Sequence, residues 1–143
     1  MIRHLLWFML AFAALPPAAA DQFKSFDGID VHYIVVNTLF LQPDVAARYK
    51  VVRANDRAIV NLSVIDEKGS AILAEVTGST VNLLSQTNPL QFAVINEGDS
   101  IYYVAPFQYT DQDVLRFRVS ISVPGRAPMD LEFQQQMYLG IPQ

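Results

Sequence analysis

Val114-Leu115-Arg116-Phe117-Arg118-Val119-Ser120-Ile121-Ser122-Val123 decides the fold of this chain. Leu115, Phe117, Val119, Ile121 and Val123 are apolar, and Arg116, Arg118, Ser120 and Ser122 between them are polar. A period of two puts one set of side chains in a core and the other in water, which is a strand covering one side of that core. The β-branched and aromatic types agree, because they suit a pleated, half-buried surface.

Outward from this strand, the same pattern recurs at short spacing. Asp56 to Asp66 alternates Ala58, Val60, Leu62 and Val64 with Arg57, Ile59, Asn61 and Ser63. Glu67-Lys68-Gly69-Ser70 then predicts a turn, with Ala71 to Val76 returning as the hairpin partner. Gln22 to Phe26 reads as a short first strand, and Ile29 to Leu41 as a strand apolar on both phases. Ile101 to Tyr109 is another strand, bent or at an edge because Pro106 lacks an N–H for a ladder. Ser85 to Pro89 reads as a loop, and Met129 to Tyr138 as the last strand after the loop Pro124 to Pro128. On that final hairpin, matching apolar phases predict Val123 opposite Met129, Ile121 opposite Leu131 and Val119 opposite Phe133. Pro43-Asp44-Val45-Ala46-Ala47-Arg48-Tyr49 carries the one helical signal, with Pro at the first position and Asp in the first turn. The expected fold is therefore all-β: a single antiparallel, immunoglobulin-like β-sandwich with one short helix at 43–49.

Residues 1–20 read as a secretory signal peptide: a basic start at Arg3, an apolar run from Leu5 to Leu15, and Ala18 and Ala20 before the cut. The run is shorter than the ~20 apolar residues that span a bilayer. The expected mature chain is one domain, 21–143, in the periplasm. Losing Arg3 leaves 9 basic against 14 acidic residues, a formal charge of -5. An acidic domain without clustered Lys and Arg is a poor nucleic-acid binder. With no Cys there is no disulfide framework, so the core alone must stabilise the fold.

Chemistry-bearing residues are sparse. His32 is the one histidine of the mature chain, and Asp30 shares its strand face, but a metal site needs three or four ligands. Asp99, Asp111 and Asp113 are a crowd of carboxylates without the Gly turn and bidentate Glu of a calcium loop. No G-x-S-x-G frames a serine, and no Gly-rich loop opens a helix. The expectation is no enzyme, no cofactor and no metal.

Several stretches resemble a family of short secreted proteins of Gram-negative bacteria known only as a domain of unknown function. The matching pieces are Val31-His32-Tyr33, Asn37-Thr38-Leu39-Phe40-Leu41, Arg57 to Val64, Asn82-Leu83-Leu84 and Gly98 to Tyr103. Gln42-Pro43 departs from the Ser/Thr-type helix cap such proteins tend to carry. The resemblance implies a single periplasmic domain and no particular activity.

Function then falls to surfaces. Both phases of 101–109 are largely apolar, and Tyr103 and Phe107 are assigned to the core. Tyr102, Gln108 and Tyr109, with Arg116 and Arg118 beside them, are the expected surface for an envelope protein or peptide. The tyrosines also allow a carbohydrate-binding reading, since their faces are large and rigid.

Overall fold

The computed structural model describes residues 22–141. The leader expected at 1–20 lies outside the described residues. Two antiparallel sheets face each other across one core. The first has the order β1 (Gln22–Phe26), β2 (Ile29–Asn37), β3 (Arg57–Ile65), β7 (Ser100–Gln108), β6 (Ala93–Glu97). The second has the order β5 (Thr87–Leu90), β4 (Glu75–Val81), β8 (Val114–Ser122), β9 (Met129–Gln136). The fold is an all-β sandwich, as the alternation of 114–123 requires.

That alternation is literal. Leu115, Phe117, Val119 and Ile121 of β8 are buried, and Arg116, Arg118 and Ser122 are exposed. Across the core stand Val31, Val60, Leu62 and Val64 of the first sheet. Phe117 stacks on Phe133 with ring centroids 4.7 Å apart, and Phe133 stacks on Tyr33 at 4.4 Å. This three-ring column joins the two sheets; aromatic pairs of this kind add about 0.5–1.5 kcal/mol beyond the area they bury. Gly78 of β4 lies opposite Val119, where a Cβ would stand 2.8 Å from the Arg118 carbonyl oxygen, so only glycine fits there.

Three details differ from the expectation. The β8–β9 register is Ile121 opposite Met129, Val119 opposite Leu131 and Phe117 opposite Phe133. It keeps the expected faces but is slipped by two residues. The connection is longer than Pro124 to Pro128 because its turn begins earlier, with Arg126 N–H donating to the Val123 carbonyl at 3.1 Å. Residues 71–76 are not the hairpin partner of β3. After a single bridge, Ile65 to Ala71, the chain crosses to the other sheet, and β4 pairs with β5 and β8. The Tyr103 hydroxyl fixes that crossing, accepting from Ala74 N–H at 2.7 Å and donating to the Ile72 carbonyl at 2.9 Å. Finally, the expected loop 85–89 is partly strand, since Thr87–Leu90 pairs with β4.

The helix stands where its sequence put it, α1 at Pro43–Tyr49. Its N-cap Gln42 makes no side-chain cap bond, in keeping with the missing Ser/Thr. Lys50 closes it in the left-handed conformation, its N–H donating back to Ala46 and Ala47 carbonyls. The segment around α1 lies over part of the outer face of the first sheet. Ile59 and Val104 are on the outward phases of β3 and β7 yet are buried, as is Ala46 of the helix. Arg48 and Tyr49 both reach Glu97 at the end of β6, at 3.7 and 3.4 Å.

Candidate binding groove on the outer face of the first sheet

Because α1 covers only part of this face, the remainder is open. Antiparallel register sets Ile34 beside Asn61 and Asn61 beside Val104. One row further along, His32 stands beside Ser63, and Tyr102 beside Ile95. Between these rows runs a groove of about 740 Å³, lined by His32, Ile34, Asn61, Ser63 and Tyr102 on the outer face and reaching Tyr33 and Gln135 at the β2 side of the sandwich. Phe23 of β1 stacks on the His32 ring at 5.2 Å and extends the apolar wall. Ile34 is 48% exposed, a large apolar side chain left in water in the middle of a sheet face.

Polar side chains of the groove include Gln22, His32, Asn61, Ser63 and Gln135. The Asn61 side-chain oxygen is buried with no protein hydrogen-bond partner. An unsatisfied buried acceptor costs about 1–3 kcal/mol, so this carboxamide has something to gain from an added donor. At the helix end, burial first and the Glu97 carboxylate second push the Tyr49 hydroxyl above the ordinary tyrosine value, and Tyr102 adds to the shift. Tyr49 therefore stays a neutral hydrogen-bond donor to Glu97 at physiological pH.

The residues named from sequence are dispersed. Tyr102 is in the groove. Arg116 and Arg118 are on the outer face of the second sheet, the opposite side of the sandwich, where Arg118 pairs with Glu132 at 3.7 Å. Gln108 donates to the Asp56 carboxylate at 2.8 Å, at the far end of β7. Tyr109 is not a surface residue: it is 6% exposed. Its hydroxyl accepts from Asn37 Nδ2 at 2.6 Å and lies 2.6 Å from the Tyr138 carbonyl oxygen, to which it donates. The reason is the C-terminal tail, which folds back over this end of the sandwich, with Gly140 N–H donating to the Asn55 carbonyl at 2.8 Å. Hence the five do not form one surface. His32, Ile34 and Asn61 belong beside Tyr102 instead. Their signal in the sequence was the outward phase of β2 and β3, apolar or neutral at Ile34 and Asn61 where a wet face would carry charge.

Asp113 caps its own turn, accepting from Thr110 N–H and hydroxyl at 2.9 and 2.8 Å, and Asp111 accepts from Leu139 N–H at 3.1 Å. Asp30 accepts from the Ser25 hydroxyl. Among the described residues, no three of His, Cys, Asp and Glu stand close enough together to hold a metal ion. No helix among them is long and apolar enough to cross a membrane.

The comparisons with known proteins agree with the fold. The crystal structure of a DUF4426 family protein from Pseudomonas aeruginosa PAO1 is 30% identical, with a TM-score of 0.77 over 85% of this chain and 97% of that one. FetP of uropathogenic Escherichia coli strain F11, expressed in the periplasm of E. coli, shares the fold at 12% identity, TM-score 0.62, over 85% of this chain and 95% of its own. A copper-bound FetP variant superposes with TM-score 0.60 at 14% identity, over 85% of this chain and 97% of its own. A search of curated proteins finds no match. The model of the domain of unknown function DUF4426 matches residues 23–140, and the chain belongs to that family.

Proposed function

We propose that this domain is a non-enzymatic binding module of the bacterial periplasm that takes an extended peptide segment of an envelope protein in the groove on its first sheet. One observation carries the reading: a groove of about 740 Å³ crosses a strand face that the short helix leaves open, with Ile34, His32 and Tyr102 presented in it. Apolar clefts with a few placed polar groups are where ligands bind. A peptide suits it because its side chains bury against Ile34 and the rings, while its N–H groups supply the donor that Asn61 lacks. A periplasmic address is supported by the leader-like residues 1–20 and by the expression of a structural neighbour in that compartment.

The copper of the FetP variant does not carry over. His32 is the one histidine after residue 4, the chain has no Cys, and no three-ligand cluster exists among the described residues. These residues do not fit a copper centre.

The test is a peptide-array screen with purified protein, repeated with Tyr102→Ala and Ile34→Asp. Peptides captured by the wild type and lost with both variants support the groove. Retained capture by both places recognition elsewhere and removes this reading.

A further inference from the structure

The two sheets have four edges, and among the described residues they are unequal. β1 and β6 have five residues each, β1 carrying Lys24 and β6 pinned at Glu97 by the helix. β5 has four residues and contains Pro89. β9 is different: Met129–Gln136 has eight residues, no Pro, Gly or Lys, and no strand on its outer side among the described residues. Its inward side chains are Met129, Leu131, Phe133 and Gln135, so no inward charge defends it. Folded proteins shield long regular edges, because an open row of N–H and C=O groups templates pairing. A long unshielded one therefore marks a pairing surface.

We infer that β9 pairs antiparallel with β9 of a second copy about a two-fold axis at Phe133, joining the two four-stranded sheets into one of eight strands. The sequence of the strand selects that register. Acids occupy its first half, Asp130 and Glu132, and glutamines its second, Gln134 and Gln136, all on the outward face. An axis at Phe133 sets Glu132 against Gln134 of the second copy and Asp130 against its Gln136, so every carboxylate meets an amide donor. An axis at residue 132 would oppose two Glu132 carboxylates, which destabilises a strand pair. An axis at residue 134 shortens the overlap, and an odd shift would bring inward side chains opposite outward ones. The closed, self-complementary contact is that of an isologous dimer. Contact through one strand is small, so the dimer is a weak one.

The experiment is sedimentation equilibrium on the exported chain purified from periplasm, over a concentration series, with two charge variants. Gln134→Glu with Gln136→Glu places acid against acid at four symmetric positions and should weaken the dimer roughly tenfold, on the scale of cross-strand charge pairs. Gln134→Lys with Gln136→Lys places base against acid and should tighten it. Far-UV circular dichroism confirms that both variants fold. A wild type that stays monomeric throughout overturns the proposal, as does a dimer whose strength neither variant changes.

Discussion

Asn37 donates its side-chain N–H to the hydroxyl of Tyr109 across 2.6 Å, in a part of the molecule closed to water. Asn37 also donates to the Asn55 carbonyl at 2.8 Å and accepts from Leu39 N–H at 2.9 Å. One asparagine and one tyrosine thus tie together the end of β2, the loop after α1, the end of β7 and the C-terminal tail. The groove depends on this tie at one remove, because it holds both ends of the segment that carries α1.

Tyr109→Phe takes the partner from one Asn37 side-chain N–H and from the Tyr138 carbonyl, while the other Asn37 N–H keeps the Asn55 carbonyl. The expected cost is about 1–3 kcal/mol, the range for an unsatisfied buried polar group. Asn37→Ala should cost a similar amount, and the double variant less than the two together, because both remove one bond. Urea denaturation of the four proteins measures the coupling; strict additivity would show that the tie contributes nothing.

Gly140→Ala attacks the same knot sterically. A Cβ there would stand 2.4 Å from Asn37 Oδ1, inside any allowed contact. A loss of roughly 1–3 kcal/mol is expected, the usual penalty of overpacking. An unchanged thermal midpoint would show that the tail does not sit against Asn37.

The β8 core tests the register. Phe117 is fully buried, with Phe133 on one side and the edge of Phe107 at 5.5 Å on another. Phe117→Ala should cost about 3–5 kcal/mol. Val119→Ala should cost roughly 1–3 kcal/mol, and Ser120→Ala little. A Phe133→Ala variant should weaken the Phe117 effect, since the rings stack; independence of the two would contradict Phe117 opposite Phe133.

Burial raises the Tyr103 hydroxyl above the ordinary tyrosine value of 10.0. The folded state therefore holds this proton more tightly than the unfolded state. Its contribution is fully present below about pH 10 and is lost as pH rises through the higher folded value. Alkaline unfolding should set in as Tyr103 ionises and the Ala74 and Ile72 contacts break. Tyr103→Phe should start less stable and lose part of that alkaline dependence; a pH–stability profile parallel to wild type would remove Tyr103 from the account.

Much of this was legible in the sequence because period-two alternation is a local signal. The strands of 57–65 and 114–122 and the helix of 43–49 are written in their own residues. What the sequence hid depends on partners far away in the chain. The two-residue slip between β8 and β9 leaves every side chain on its proper face, so hydrophobic pattern is blind to it; only the turn at Val123 to Arg126 sets it. Residues 71–74 look like a returning strand but are held between sheets by Tyr103, some thirty positions later. Tyr109 looks exposed at the end of a strand because the tail that buries it, Tyr138 to Gly140, has no pattern of its own. The groove was visible only in part, through Tyr102, since its other members sit on strands whose neighbours the sequence does not name.

The proposed recognition by the open face of the first sheet can be tested in the cell. Site-specific photo-crosslinking in the periplasm places the photoreactive residue at Ile34 in one strain and at Arg118, on the opposite sheet, in another. A discrete crosslinked partner at Ile34, absent at Arg118 and diminished by Tyr102→Ala, is the predicted result. A partner that crosslinks at Arg118 and not at Ile34 would move recognition to the second sheet and rule out the groove.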